Sequence, residues 1–445
     1  MQALTLAVGI TAVFLIFFLK PWHGLAIYFT TLLMYPSYLR IPVFGFNVSA
    51  QRMVVAALLV RILMDSRLMA KFRANLLDKL VAAMFVTGFV SLSITMGFGN
   101  FAKTYSGKFM DSVLVYFVVR LVLVDKATVL KIVKVLAVVL CIAGIMGVLE
   151  SITGVSVYDG LFQYCPWNIG GTDIAMYERI GFYRANGPFG VHILFGLSFV
   201  AFLPLILLLR QAGGLWRKLT YVFFVAALAG TASSFSAGPY FGAMTILLCL
   251  VLKRRREFIK PLLIGLALVV FAGQVISDRG FFYMMGRFSF NESTAWYRAR
   301  LIDVAVMKLP EYAFFGYGMV EPGWGPLLDN REHTDVCNQY VLQTVYYGLG
   351  GLAIFVGILW AGLAGLIRLG RRAVEPWLKE AAWLVGTALV ALIVVFFTVG
   401  VFGKFIAVFH ALLGIAGCFY APRLIARPAY SPRAVLSEAG VSRSS

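Results

Sequence analysis

Charge is scarce in this chain: 13% of its 445 residues are Asp, Glu, Lys or Arg, against roughly 25% in a soluble protein. That excludes a string of soluble enzyme domains. Acidic residues are the scarcer sign, 20 against 39 basic, and only five cysteines are present. CxxC, HExxH, EF-hand, Walker and GxGxxG spacings are all missing, so neither a metal nor another cofactor is expected. The apolar runs also lack polar alternation, which argues against a membrane β-barrel.

Apolar residues make up 61% of the chain, enough for roughly thirteen segments of about 20 residues, the length that crosses a bilayer. The expected fold is all-α: a polytopic transmembrane helical bundle of about 13 spans forming one integral membrane domain over residues 1–445. Candidate spans cover 2–19, 24–39, 48–63, 80–98, 110–124, 135–150, 188–209, 219–232, 240–252, 261–277, 338–367, 381–399 and 405–420. The first of these has no basic leader and no small-residue cleavage site, so it reads as a span and not as a signal peptide.

Lys and Arg cluster in alternate connections, at Arg67, Lys71 and Arg73, at Lys126, Lys131 and Lys134, at Arg210, Arg217 and Lys218, at Lys253 to Arg256, at Arg368, Arg371 and Arg372, and beyond Arg423. These clusters read as cytoplasmic topology signals and not as a nucleic-acid surface. They imply an outer N-terminus, a cytoplasmic tail at 421–445, and two long outer-face connections at 151–187 and 278–337. Cys141, Cys249 and Cys418 fall in apolar spans as packing residues. Cys165 and Cys337 fall in the outer connections, where an oxidising compartment permits a disulfide that spacing alone does not establish.

The 278–337 connection is far longer than the usual loop of about 4 to 6 residues, so it must fold on itself or serve a function. Asn291, Ser293 and Thr294 offer helix N-caps. Trp296 to Leu309 carries apolar residues at Leu301, Val304, Ala305 and Met307, and Pro310 supplies a stop. This predicts an amphipathic helix across the membrane surface, presenting Arg298 and Arg300. Arg300 has Asp303 as a local partner; Arg298 has none in the sequence. A second outer arginine, Arg184, opens the turn Arg-Ala-Asn-Gly-Pro-Phe before an apolar span and faces either water or an anionic ligand. Convergence of Arg184 and Arg298 would suit a diphosphate at headgroup depth. His333, Asp335 and Asn338 gather where the loop re-enters the membrane. Such a group serves to deprotonate or orient a hydroxyl, or else Asp335 or Asn338 caps the next helix, and the two roles are compatible.

Four pieces in order, Arg184 to Phe189, Ser233 to Pro239, Tyr297 to Gly318 and Asp335 to Leu352, resemble the O-antigen ligase and polymerase superfamily over roughly the last 270 residues. The resemblance implies a metal-independent glycosyltransferase of the bacterial inner (cytoplasmic) membrane with its active site on the outer, periplasmic side. Such enzymes take a glycan from undecaprenyl diphosphate and pass it to an acceptor glycan or glycolipid. It assigns the carrier diphosphate to Arg184 and Arg298, with Arg300, Tyr297, Trp296 and Tyr340 as further substrate-binding residues. Asp335, His333 and Asn338 become the catalytic group, because Cys337 stands where many members carry His. Ser236 stands where an arginine is common. The aspartate-bearing version is closer to exopolysaccharide polymerases than to lipid A ligases. Trp167, Trp296, Tyr297 and Trp324 are placed to stack on sugars or to anchor at the interface. The expected partners are the carrier-linked oligosaccharide, its acceptor and membrane lipids, with no nucleic acid. The rival reading is a transporter or lipid-linked glycan flippase, which calls for charge within spans, and there the sequence offers only Arg52 and Arg61 near the ends of one span.

Overall fold

A computed structural model of the chain describes residues 2–43, 46–70, 72–164, 178–276, 283, 292–328 and 333–420. Cys165, Trp167, Asn291 and the tail 421–445 lie outside the described residues, and so do the expectations placed on them.

The described chain is mostly helical. Its helices are α1 (Gln2–Phe18), α2 (Pro21–Met34), α3 (Ala50–Leu63), α4 (Ser66–Ala70), α5 (Leu76–Thr95), α6 (Phe98–Asp111), α7 (Val113–Val122), α8 (Lys126–Thr153) and α9 (Asp159–Phe162). They continue as α10 (His192–Ile206), α11 (Gly214–Ser233), α12 (Ala237–Arg254), α13 (Ile259–Ile276), α14 (Glu292–Tyr312), α15 (Gln339–Arg372), α16 (Pro376–Val395) and α17 (Phe405–Cys418). A helix lies over each of the thirteen apolar segments. Among the described residues, seven helical stretches are long and apolar enough to cross a bilayer by length and composition: Leu76–Thr95, Lys126–Thr153, His192–Gln211, Ala237–Arg254, Arg256–Val275, Gln339–Arg372 and Pro376–Val395.

Local signals set the boundaries. Asn75 and Asp78 form a reciprocal capping box at the head of α5, and the Asp125 side chain accepts from the Thr128 amide at the head of α8. Tyr35 precedes Pro36 and is extended (φ −98°, ψ 129°), so α2 ends at Met34 and not at residue 39 as its apolar run suggests. The chain then forms an antiparallel hairpin, β1 (Arg40–Val43) against β2 (Phe46–Ser49), with Arg40 opposite Ser49. Three further expectations need correction. Residues 99–109, which the spans 80–98 and 110–124 leave as a connection, form most of α6. Pro310 lies inside the last turn of α14 and does not stop it, while Ser293 and Thr294 fall within its first turn instead of capping it.

The core centres on α10, whose apolar residues run all round it and are almost all buried, as a helix at the middle of a bundle requires. Phe195, Phe199 and Phe202 fill the space towards neighbouring helices. On one flank α8 and α11 approach closely, because a Cβ at Gly144 would stand 2.4 Å from the Ala226 carbonyl oxygen. Span charge is richer than the sequence suggested. Arg120 of α7 is buried, with its Nε 3.5 Å from Asp78, whose Oδ1 also accepts from the Tyr116 hydroxyl at 2.6 Å. That pair joins the N-terminal end of α5 to the C-terminal end of α7.

Candidate functional site

Among the described residues of the 278–337 connection, α14 meets the head of α15. Tyr297, 2% exposed, places its hydroxyl between the two backbone groups of Asp335, accepting from the amide and donating to the carbonyl, each at 2.9 Å. One residue on, Arg298 hydrogen-bonds the Cys337 sulfur, and its Nε is buried with no hydrogen-bond partner among the described residues. Burial pushes the Cys337 thiol up to about 11, against the pull of Arg298, so the thiol keeps its proton at neutral pH. The arginine without a partner in the sequence is therefore brought beside Asp335 and Cys337. Asn338 caps α15, its Oδ1 accepting from the Tyr340 and Val341 amides at 2.9 and 3.1 Å, and its Nδ2 donates to the Phe397 carbonyl at 3.1 Å. Its polar atoms are thus engaged in positioning the helix. The Tyr340 hydroxyl donates to Ile393 O at 3.0 Å and ties α15 to α16.

The other residues singled out in this loop have different surroundings. Asp335 and His333 are exposed, and Trp296 is 37% exposed. Trp324 is 1% exposed and packs against Tyr312 and Tyr317, so its ring faces are covered, as are those of Tyr297. Both aromatics build the loop core instead of offering a face to a sugar. Arg300 does not pair directly with Asp303 among the described ion pairs. Tyr283 links the two, donating to Asp303 at 2.6 Å and hydrogen-bonding Arg300.

A buried carboxylate shapes the turn that follows Arg184. Glu150, in the last turns of α8, accepts from the Asn186 amide at 2.8 Å and from the Gly187 amide at 3.2 Å, and this fixes the turn before α10. The Ala185 amide donates to Ser233 O at 2.9 Å, and Arg184 Nη2 donates to Ser236 Oγ at 3.0 Å. Arg179, not anticipated from the motifs, donates to Phe235 O at 3.0 Å at the same junction. Both guanidinium groups lie within electrostatic reach of His192 and Tyr240.

The segment between α16 and α17, residues 396–404, touches both groups. The Gln339 amide donates to Phe396 O at 2.8 Å, and the Val401 amide donates to the Gln339 side chain at 2.5 Å. A Cβ on Gly400 would meet Val336 O at 2.7 Å, and one on Gly238, two residues past Ser236, would meet Val399 at 2.7 Å. At its end, Lys404 donates to Tyr35 O at 2.8 Å and lies 4.5 Å from the centre of the Phe189 ring, which belongs to the Arg184 turn.

Beside this segment opens a cavity of about 290 Å³ lined by Arg40, Arg52, Lys103, Lys108 and Lys404, with Asp111 as its acid. Arg52 is paired to Asp111, Nε to Oδ1 at 3.0 Å. Burial pulls Lys108 down to about 7, and pulls Lys404 well below the usual lysine value. Arg40, Lys103, Lys108 and Lys404 escape motif reading. The signal that finds them is the topology expected from the sequence, in which these basic residues fall in connections on the side opposite the cytoplasmic clusters, against the positive-inside bias. Among the described residues no group of three His, Cys, Asp or Glu is close enough to hold a metal ion.

Comparison with protein-family models and with curated proteins yields no match for this chain.

Proposed function

We propose that the chain is a glycosyltransferase of the O-antigen ligase and polymerase type, moving a glycan from undecaprenyl diphosphate to an acceptor sugar at the outer face of the bacterial inner membrane. In this reading thirteen helices span the membrane, the N-terminus lies outside, and the 151–187 and 278–337 connections face the periplasm. The observation that carries it is the folding of α14 onto the head of α15, which sets Arg298 beside Asp335 and Cys337.

The chemistry is displacement at the anomeric carbon. The acceptor hydroxyl forms the new bond as the bond to the diphosphate oxygen breaks, and the bonding pair leaves with the diphosphate. Diphosphate is already a good leaving group, so the protein's contribution is neutralising charge and orienting the acceptor. Arg298, with a buried donor unengaged, and Arg184 at the Ser236 junction supply the positive charge. Asp335 takes the acceptor's proton, with His333 as the other candidate base. Asn338 acts by holding the turn. Two of the buried charges that a transporter would use, Asp78 and Glu150, have structural partners here, Arg120 and the Asn186 turn.

Deletion of the gene followed by analysis of surface glycans tests the reading. Single carrier-linked repeats accumulate if the enzyme is a polymerase, and unligated polymer with bare lipid A core accumulates if it is a ligase. An unchanged glycan profile with a lost uptake phenotype would favour transport.

A further inference from the structure

The basic cavity adjoins another. A second cavity, of about 170 Å³, lies between α5, α6, α15 and α17, and the two share Lys108, Met319, Gly403 and Ile406 in their walls. Their linings differ in kind. The upper one carries five basic residues against one acid. The lower one is mostly hydrocarbon, reaching Phe355 and Ile358 on α15 and Leu413 on α17. Lys108 stands where they meet. Its ammonium hydrogen-bonds the Tyr347 hydroxyl and lies 4.8 Å from the centres of both the Tyr346 and Tyr347 rings. Among the described residues neither Lys108 nor Lys404 has a carboxylate ion-pair partner. Buried lysines without counter-charge are costly unless an anion completes the site. Two buried amide oxygens also lack partners there: Gln51 Oε1 lines the upper cavity and Gln343 Oε1 the lower.

We infer that this pair of cavities binds a phosphorylated amphiphile, with its phosphate against Lys108, Lys404 and Arg52 and a single hydrocarbon chain running down between α5, α15 and α17. The chemistry of the walls defines the ligand. A free phosphate leaves the apolar chamber unfilled, and a neutral lipid leaves the lysines uncompensated. At roughly 10–15 Å³ for each water-sized group, the lower chamber takes about a dozen such groups, which suits one chain better than two bulky tails. The depressed Lys108 is consistent with a cation awaiting its partner. This site uses none of the residues assigned above to the diphosphate or to the base, and it stands whether or not the chain transfers glycans.

The test titrates the purified full-length chain in neutral detergent, read by native mass spectrometry. The probes are a polyprenyl phosphate, the polyprenol of equal length, lysophosphatidic acid and inorganic phosphate. At least one phosphorylated amphiphile binds about tenfold or more tightly than both the polyprenol and inorganic phosphate. Preference between the two phosphorylated lipids identifies the source of the headgroup. Lys108→Met and Lys404→Met each lower that affinity about tenfold, and Arg255→Met, in the cytoplasmic cluster, leaves it unchanged. Should the buried Lys404 variant not fold, Lys103→Met at the exposed rim replaces it, with a smaller loss. A polyprenyl phosphate carrying a diazirine at its chain end labels wild-type α15 or α17 near Phe355 or Leu413. The inference is overturned if the polyprenol or inorganic phosphate binds as tightly as the phosphorylated lipids, if Lys108→Met binds normally, or if the label falls outside these helices.

Discussion

Tyr297 grips Asp335 by both faces of its backbone, one hydroxyl serving the amide and the carbonyl at 2.9 Å each. The exposed carboxylate of Asp335 is thus aimed by a buried residue from another helix. Tyr297→Phe keeps the ring packed and removes the hydroxyl that makes this grip. Losing such hydrogen bonds costs about 1–3 kcal/mol, seen as a lower melting temperature. On the present account transfer falls about tenfold or more at equal protein level, through kcat more than through the KM for the donor. Normal transfer by a folded Tyr297→Phe protein would mean that the placement of Asp335 is unimportant.

The two arginines and their neighbour make a graded series. Arg298→Ala and Arg184→Ala each remove a charge-assisted contact worth about 1.5–3 kcal/mol, so transfer drops roughly tenfold to a hundredfold. The lysine variants keep the charge without the planar fork and fall between. Arg300 hydrogen-bonds Tyr283, so Arg300→Ala is expected to lose less. Equal activity of all three alanine variants in a quantitative glycan assay would remove the diphosphate assignment.

Parts of this arrangement are legible in the sequence and parts are not. The helix cap at Asn338 follows from local rules, because its side chain answers to backbone groups two and three residues away, whereas the turn around Arg184 shows its Gly-Pro pair in the sequence but not Glu150, 36 positions before Asn186, which fixes it. The order of apolar runs likewise places helices. The partner of Arg298 is Cys337, 39 positions along, and only the fold of the whole loop brings them together. Arg179 reaches Phe235 across a still longer separation. The β1–β2 hairpin and α6 hide inside or beside apolar runs, where composition points to continuous spans and the Pro36 restriction is a single-residue signal. Lys404 looks like one more polar residue between two spans until its burial is known.

Binding at this pair of cavities is expected to depend on pH through Lys108. Its ammonium, held down to about 7 by burial, is charged below that pH and increasingly neutral above it. A bound phosphate favours the charged form and raises the value, so affinity is full below about 7 and falls by up to tenfold per unit as pH rises further. Groups facing the site are Lys103, Tyr105 and Asp111 on α6 itself, Arg40 on β1, Arg52 on α3, Tyr346 and Tyr347 on α15, Lys404, and His410 on α17. Lys108→Arg isolates the effect, since an arginine stays charged: its affinity profile is flat above 7 where that of the wild type declines. Parallel profiles for the two proteins would assign the pH dependence to another of these groups.

Membrane orientation is checked by single cysteines introduced into an otherwise cysteine-free chain and labelled in intact cells with an impermeant thiol reagent. A cysteine at Lys103, on the exposed side of α6, labels without permeabilisation, whereas one at Arg255 labels only after it. Strong labelling at Arg255 in intact cells would reverse the orientation and with it the outer placement of Arg298 and Asp335.

The central claim is glycan transfer from a lipid diphosphate, and reconstitution measures it directly. The purified chain in liposomes receives an undecaprenyl diphosphate-linked oligosaccharide and an acceptor glycolipid, with EDTA present, and products are sized by mass spectrometry. The account predicts a lengthened or glycosylated acceptor together with released undecaprenyl diphosphate, and little of either with Asp335→Asn. Donor that crosses the bilayer with its glycan still attached, and no new product on the acceptor, would contradict transfer and identify a flippase.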